Sequence, residues 1–206
     1  MIKNLIFDFG KVLVDYDFEQ FLSSFIADYD NRNRFLQTIC NQELVNRCDK
    51  GDETFEQIVE DLKRIYPQWQ EELQIFHDRQ TEAVTGEVEG MRDLLVKLKG
   101  EGFRLYGLTN WSNAVYEVMQ KYQHMFELLE GIVISSEEHV IKPDPAIYRC
   151  LFERFALNPE ECLFTDDKPE NIEGSIAVGM RGIVFKNAKQ YEQELKIIIG
   201  KEPTVF

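Results

Sequence analysis

The sequence predicts an α/β fold, a doubly wound parallel sheet with a helical cap inserted after its first strand. Three observations carry this expectation. Short β-rich apolar runs recur along the chain, amphipathic stretches alternate with them, and the alternation fails once, over residues 15–85, where only helical patterns occur.

The first run, LIFDF (5–9), reads as a buried strand, because an unbroken apolar run suits a strand covered on both faces. The same holds for RLYGLT (104–109), GIVIS (131–135), CLFTD (162–166) and GIVF (182–185). Between them GMRDLLVKLKGEG, NAVYEVMQKY, PAIYRCLFERFA and PENIEGSIAVGM carry helical periodicity, and NAKQYEQELKIII forms a last helix before the tail GKEPTVF. The stretch from 15 to 85 holds DFEQFLSSFIADY, DETFEQIVEDLKRIY and QWQEELQIFHDRQ. Inserted directly after the first strand, it would lie over the carboxyl ends of the strands, where open α/β sheets bind ligands. It therefore reads as a cap on a catalytic core of residues 1–14 and 86–206.

The 206 residues suit one α/β core with a modest insertion. A net charge of -14 repels nucleic acid and anionic lipid. An anionic substrate then demands a metal ion or a few focused lysines to reverse the field locally. No apolar run reaches the roughly 18–20 residues of a membrane helix, and MIKNLIFDFG leads into a strand without a signal-peptide pattern. A cytoplasmic protein is expected, monomer or homodimer, with no nucleic-acid or membrane partner. Cys40, Cys48, Cys150 and Cys162 lack CxxC spacing and read as reduced structural thiols; His77, His124 and His139 stand singly and read as structural or solvated.

Polar residues interrupt the strand pattern at strand ends. Asp8 follows LIF, Thr109 and Asn110 follow YGL, Lys142 follows the third run and a short loop, and Asp166 and Asp167 follow CLFT. Four strands thus deliver carboxylate, hydroxyl, ammonium and paired carboxylates to one edge of the sheet, as an active site requires. Three carboxylates in a small space repel one another unless a cation neutralises them, and a hard divalent ion such as Mg²⁺ suits oxygen ligands and a phosphate substrate. Helix capping is the alternative reading of Asp166 and Asp167.

The segments IFDFGKVLVD, LTN, IKPDPAIY and FTDDKPENIEGS resemble the four ordered motifs of the haloacid dehalogenase superfamily, most of whose members are phosphatases. The likeness covers essentially the whole chain and is greatest to the sugar-phosphatase-like branch, which includes α-glucose-1-phosphate phosphatases and the N-terminal phosphatase domain of soluble epoxide hydrolases. It implies a Rossmann-like core in which Asp8 attacks phosphorus and forms an aspartyl-phosphate. Thr109, the Asn110 backbone and Lys142 would bind the phosphoryl oxygens, and Mg²⁺ would be held by Asp8, the Gly10 carbonyl and Asp167, helped by Asp166. Asn171 would buttress that loop. The expected substrate is a small phosphorylated metabolite, sugar phosphates among the candidates.

One departure matters. Most phosphatases of the superfamily carry a second Asp two residues after the nucleophile, where it moves the proton of the leaving group; this chain has Gly10. The acid is therefore unassigned, with Asp15, Asp17 or a metal-bound water as substitutes, although Asp15 also reads as a helix cap. Lys11 reads as a solvated lysine at the cleft mouth, and Trp111, Tyr16 and Phe18 as substrate neighbours or hinge packing. Two other functions stay open, a 2-haloacid dehalogenase and a catalytically weak binder of a phosphorylated ligand. The string DFG does not mark a kinase, since no glycine-rich loop precedes it and no HRD-type loop is present.

Overall fold

The computed structural model describes residues 1–200, so the tail beyond Gly200 lies outside the described residues. Its main sheet is built from β1 (Asn4–Phe7), β4 (Arg104–Thr109), β5 (Gly131–Ile134), β6 (Cys162–Asp166) and β7 (Arg181–Val184), in the order β5-β4-β1-β6-β7 with every neighbour parallel. Side chains alternate across it. Leu5, Phe7, Leu105 and Leu163 enter one apolar layer, whereas Ile6, Tyr106, Leu108 and Phe164 enter the other. Both faces are covered, as the unbroken apolar runs require.

A second, two-stranded sheet pairs β2 (Val14–Tyr16) with β3 (Val84–Glu87) antiparallel. The sequence pattern does not predict it, because three or four residues are too few to establish an alternation. Between these strands lie α1 (Phe18–Ser23), α2 (Tyr29–Ile39), α3 (Gln42–Lys50), α4 (Phe55–Ile65) and α5 (Gln70–Arg79). They bury an apolar cluster of their own, with the Phe76 ring packed among those of Phe18, Phe21, Phe35 and Phe55 at centroid distances of 6.2, 6.1, 6.0 and 5.9 Å. The stretch DFEQFLSSFIADY is not one helix. It stops at Ser23, and Asp28 caps the next helix by accepting from the Asn31 N–H at 2.7 Å.

The remaining helices, α6 (Met91–Gly100), α7 (Val115–Lys121), α8 (Gln123–Phe126), α9 (Ser135–Glu138), α10 (Pro145–Phe155), α11 (Pro169–Ala177) and α12 (Ala188–Gly200), connect or flank the strands of the main sheet. Proline at the first position of α10 and α11 starts each helix directly after a loop, the one that follows α9 and carries Lys142 and the one that follows β6 and carries Asp167. Among the described residues no helix is long and apolar enough to cross a membrane. All four cysteines are free thiols.

Candidate active site

Because β1, β4 and β6 run parallel and adjacent, the residues at their carboxyl ends meet on one edge. Asp8 follows β1, and its Oδ1 lies 2.8 Å from Lys142 Nζ. The same ammonium donates to Asp166 Oδ2 at 2.7 Å and to the Leu108 carbonyl at 3.0 Å, so all three of its protons are used. Asp166 in turn accepts from Asn171 Nδ2 at 3.0 Å on both oxygens and from the Lys168 N–H at 2.9 Å. This network is almost fully buried. Burial favours the neutral acid and pushes Asp8 up to about 6; the Lys142 charge works against this and Asp166 with it. For Lys142 burial would lower the pKa, but Asp166 and Asp8 outweigh it and the group is raised, so it stays an ammonium.

Asp8, Asp166 and Asp167 each present a carboxylate oxygen, and these three atoms lie within 4.8 Å of one another. Burial, then Asp166, also raise Asp167. One buried ammonium among three carboxylates leaves a net negative site made of hard oxygen donors, and that donor set fits Mg²⁺. At the end of β4 the Thr109 hydroxyl is buried without a hydrogen-bond partner, an unmet donor of the kind a phosphoryl oxygen satisfies. The Asn110 side chain is occupied otherwise. Its Oδ1 accepts from the Lys142 N–H at 2.8 Å and its Nδ2 donates to the Lys142 carbonyl at 3.0 Å, tying the two loops together.

A cleft of about 850 Å³, open mouth included, runs from this edge up to the inserted helices. Asp8, Gly10, Asn110, Lys142 and Asp167 line its floor, while Tyr16, Phe18, Val45, Asp49, Gln80 and Trp111 are among its walls.

A model of the haloacid dehalogenase-like hydrolases matches residues 5–185 of the chain. The protein belongs to this family. It is 29% identical to a sesquiterpene phosphatase of Aspergillus oryzae, over 96% of this chain and 97% of that protein. It is 27% identical to a D-ribitol-5-phosphate phosphatase of Bacteroides thetaiotaomicron, over 97% of this chain and the whole of that protein. Among solved structures, a HAD family enzyme of Bacteroides thetaiotaomicron in complex with magnesium and inorganic phosphate shares the fold at 20% identity, with a TM-score of 0.72 over 94% of this chain and 99% of that one.

For a haloacid dehalogenase-like hydrolase the surroundings of Gly10 are informative. A Cβ there would stand 3.0 Å from Tyr16 Cε1 and 3.9 Å from the Trp111 ring, so the Tyr16 ring fills the space that a longer side chain would need. Neither substitute carboxylate lines the cleft. Asp15 pairs with Lys11 and is lowered by it, and Asp17 caps α1 by accepting from the Gln20 N–H at 2.8 Å; the capping role thus falls to Asp17. Lys11 also donates to the Tyr16 carbonyl at 2.7 Å and lies over that ring, outside the cleft lining. His77, His124 and His139 pair with Asp78, Glu87 and Asp52, away from the cleft.

Sequence reading missed three groups at this site, Asp49, Lys168 and Ser135. Asp49 sits in RCDKGDE among other charges of an amphipathic helix; its one local signal is the glycine two residues on, which ends α3 in the left-handed region.

Proposed function

We propose that the protein is a Mg²⁺-dependent phosphatase that hydrolyses a small phosphomonoester through an aspartyl-phosphate on Asp8. The observation that carries this reading is the meeting of Asp8, Asp166 and Asp167 at strand ends, with Lys142 wedged between the first two. Asp8 attacks phosphorus in line. Lys142 holds the attacking carboxylate in place and balances its charge, while the unpartnered Thr109 hydroxyl and the Asn110 backbone receive phosphoryl oxygens. Asp8, Asp167 and the Gly10 carbonyl hold the cation, with Asp166 contributing chiefly as the carboxylate that fixes Lys142 and Asn171. When bound, Mg²⁺ neutralises charge on the transferring phosphoryl group.

Residues 15–85 act as the cap over a core of residues 1–14 and 86–206, and the cap side of the cleft selects the leaving group. Its walls are mostly aromatic and aliphatic, with Gln80, Thr81 and the Asp49 carboxyl as polar groups. That lining favours an alcohol with an apolar face and one or two hydroxyls; sugar phosphates with such a face remain in the class. The relatives, one acting on a sesquiterpene phosphate and one on ribitol 5-phosphate, support phosphate monoesters and span that range of polarity. The carboxylate cluster is what a dehalogenase attacking carbon without a metal has no use for, so the phosphatase reading is preferred.

The test is phosphate release from nitrophenyl phosphate, then from a panel of sugar, polyol and terpenoid monophosphates, with Mg²⁺ or with chelator. Activity is expected only with the metal, and Asp8→Asn is expected to abolish it. Chelator-resistant turnover, or an active Asp8→Asn protein, would overturn the proposal.

A further inference from the structure

The groups around Asp8 that can exchange a proton are few. Asp8 makes the bond to phosphorus, Asp166 and Asp167 are committed to Lys142 and the cation, and Lys142 is shared between two carboxylates. The Tyr16 phenol is pushed up to about 12, chiefly by burial, and holds its proton too tightly to serve near neutrality. Lys168 presents an ammonium with donors and no acceptor, so it has no lone pair to receive a proton from water. Asn110, Gln80, Thr81 and Asn171 do not titrate. Asp49 is left.

Asp49 lies in the last turn of α3 and lines the same cleft as Asp8, Lys142 and Asp167. Among the described residues its carboxyl has no hydrogen-bond or ion-pair partner, and the charges it feels are those of Lys168, Asp8 and Lys142. It is half-buried because the face it leaves open is the cleft itself. Its backbone is fixed to the core. Ser135 Oγ, just after β5, donates to the Asp49 carbonyl at 2.5 Å and accepts from the Trp111 N–H at 3.0 Å. Gly51, at φ 71°, lets the chain turn against Ser136 so closely that a Cβ would stand 2.7 Å from the Ser136 Cα. The backbone that carries this carboxyl is thus held by the core's own loops, which fixes where Asp49 enters the cleft it shares with Asp8.

We propose that Asp49 is the general acid–base of this site, a catalytic carboxyl delivered by the inserted helices in place of the side chain that Gly10 lacks. The inference rests on the phosphatase reading. In the first step the Asp8 carboxylate forms a bond to phosphorus, the bond from phosphorus to the ester oxygen breaks, and the departing oxygen takes the Asp49 proton, giving the free alcohol and an Asp49 carboxylate. In the second, water attacks the phosphoryl group and gives its proton to Asp49, and the Asp8–phosphorus bond breaks to release inorganic phosphate. Asp49 ends protonated, as it began. Burial raises it to about 7 against the lowering effect of Lys168, so both forms are populated near neutrality.

The experiment compares Asp49→Asn and Asp49→Glu with the wild type on two Mg²⁺-supported substrates, nitrophenyl phosphate and a simple alkyl phosphate. An alkoxide leaving group needs the proton and nitrophenolate does not. Asp49→Asn should therefore lose about 10²-fold or more in kcat on the alkyl ester. On nitrophenyl phosphate it should release a rapid burst of nitrophenolate approaching one equivalent, followed by slow turnover as the phosphoenzyme waits for its base. Asp49→Glu should recover part of both losses, and the melting temperatures of all three proteins should agree within a few degrees. Equal slowing of both substrates without a burst, unchanged turnover of the alkyl ester, or losses that follow the melting temperature would overturn the assignment while leaving the phosphatase reading intact. A wild-type protein that hydrolyses neither ester would remove both.

Discussion

Among single residues, Gly10 and Tyr16 explain each other. The ring occupies the space in front of Gly10, so an acid cannot be restored there by substitution alone. Gly10→Asp should destabilise the protein by about 1–3 kcal/mol through overpacking, measured by urea denaturation, and should not improve turnover of an alkyl phosphate. An increase in that turnover at unchanged stability would mean that the ring yields freely. Lys142 illustrates a different constraint, since its ammonium is the charge that lets Asp8 and Asp166 be buried side by side. Lys142→Ala should cost about 3–5 kcal/mol at neutral pH because two buried carboxylates lose their partner. Without the ammonium the Asp8 carboxyl, already raised by burial, holds its proton more tightly still than in the unfolded chain, so the native state binds the extra proton and its deficit should shrink as the pH falls. A deficit that is the same at pH 5 and pH 8 would contradict this.

At the scale of elements, α3 couples the inserted helices to the core, and its docking depends on one glycine. Gly51→Ala forces an L side chain into the left-handed region, at about 1–2 kcal/mol, and drives its Cβ into the Ser136 backbone. The expected result is a lower melting temperature together with a larger loss on alkyl than on nitrophenyl phosphate, because Asp49 moves with the turn. Ser135→Ala, which removes two hydrogen bonds and not a backbone position, should show the same substrate bias at a stability cost of about 1–3 kcal/mol. This is also where the sequence stops being readable. The strands at 104–109 and 162–166 carry uninterrupted apolar runs and are visible directly, and the residues that follow each strand inherit a position from it, which is why Asp8, Thr109, Lys142 and Asp167 can be placed in advance. Asp49 inherits nothing of that kind. Its position depends on how one helix of an insertion rests on the loop after β5, a tertiary contact with no local periodicity. The β2–β3 pair escapes notice for the simpler reason that it is too short to show a pattern.

For the whole molecule, acid and metal dependence follow from where the carboxylates sit. Those on the surface that pair with Lys, Arg or His, such as Asp15, Asp52 and Asp78, are held below their ordinary values, so their contribution is present at higher pH and is lost as the pH falls below about 4. The cleft carboxyls behave in the opposite sense. Asp8 at about 6 and Asp49 at about 7 keep protons that the unfolded chain gives up near 3.8, so the native state binds more protons across that interval and loses stability as the pH rises through it. The net charge of -14 adds general repulsion in the same direction. The metal-free protein should therefore melt highest near pH 4, where the two windows meet, and should lose stability steadily from pH 5 to pH 7. Mg²⁺ binds the ionised carboxylates and competes with their protons, so the stabilisation it gives, which follows ligand concentration over Kd, should be large at pH 8 and should nearly vanish at pH 5. Melting curves across this range, with chelator and with millimolar Mg²⁺, make the comparison. A metal-free profile that stays flat from pH 5 to 8, or an equal Mg²⁺ shift at both ends, would show that Asp8 and its neighbours do not form the cation site, because no other group among the described residues combines their burial with their closeness to one another.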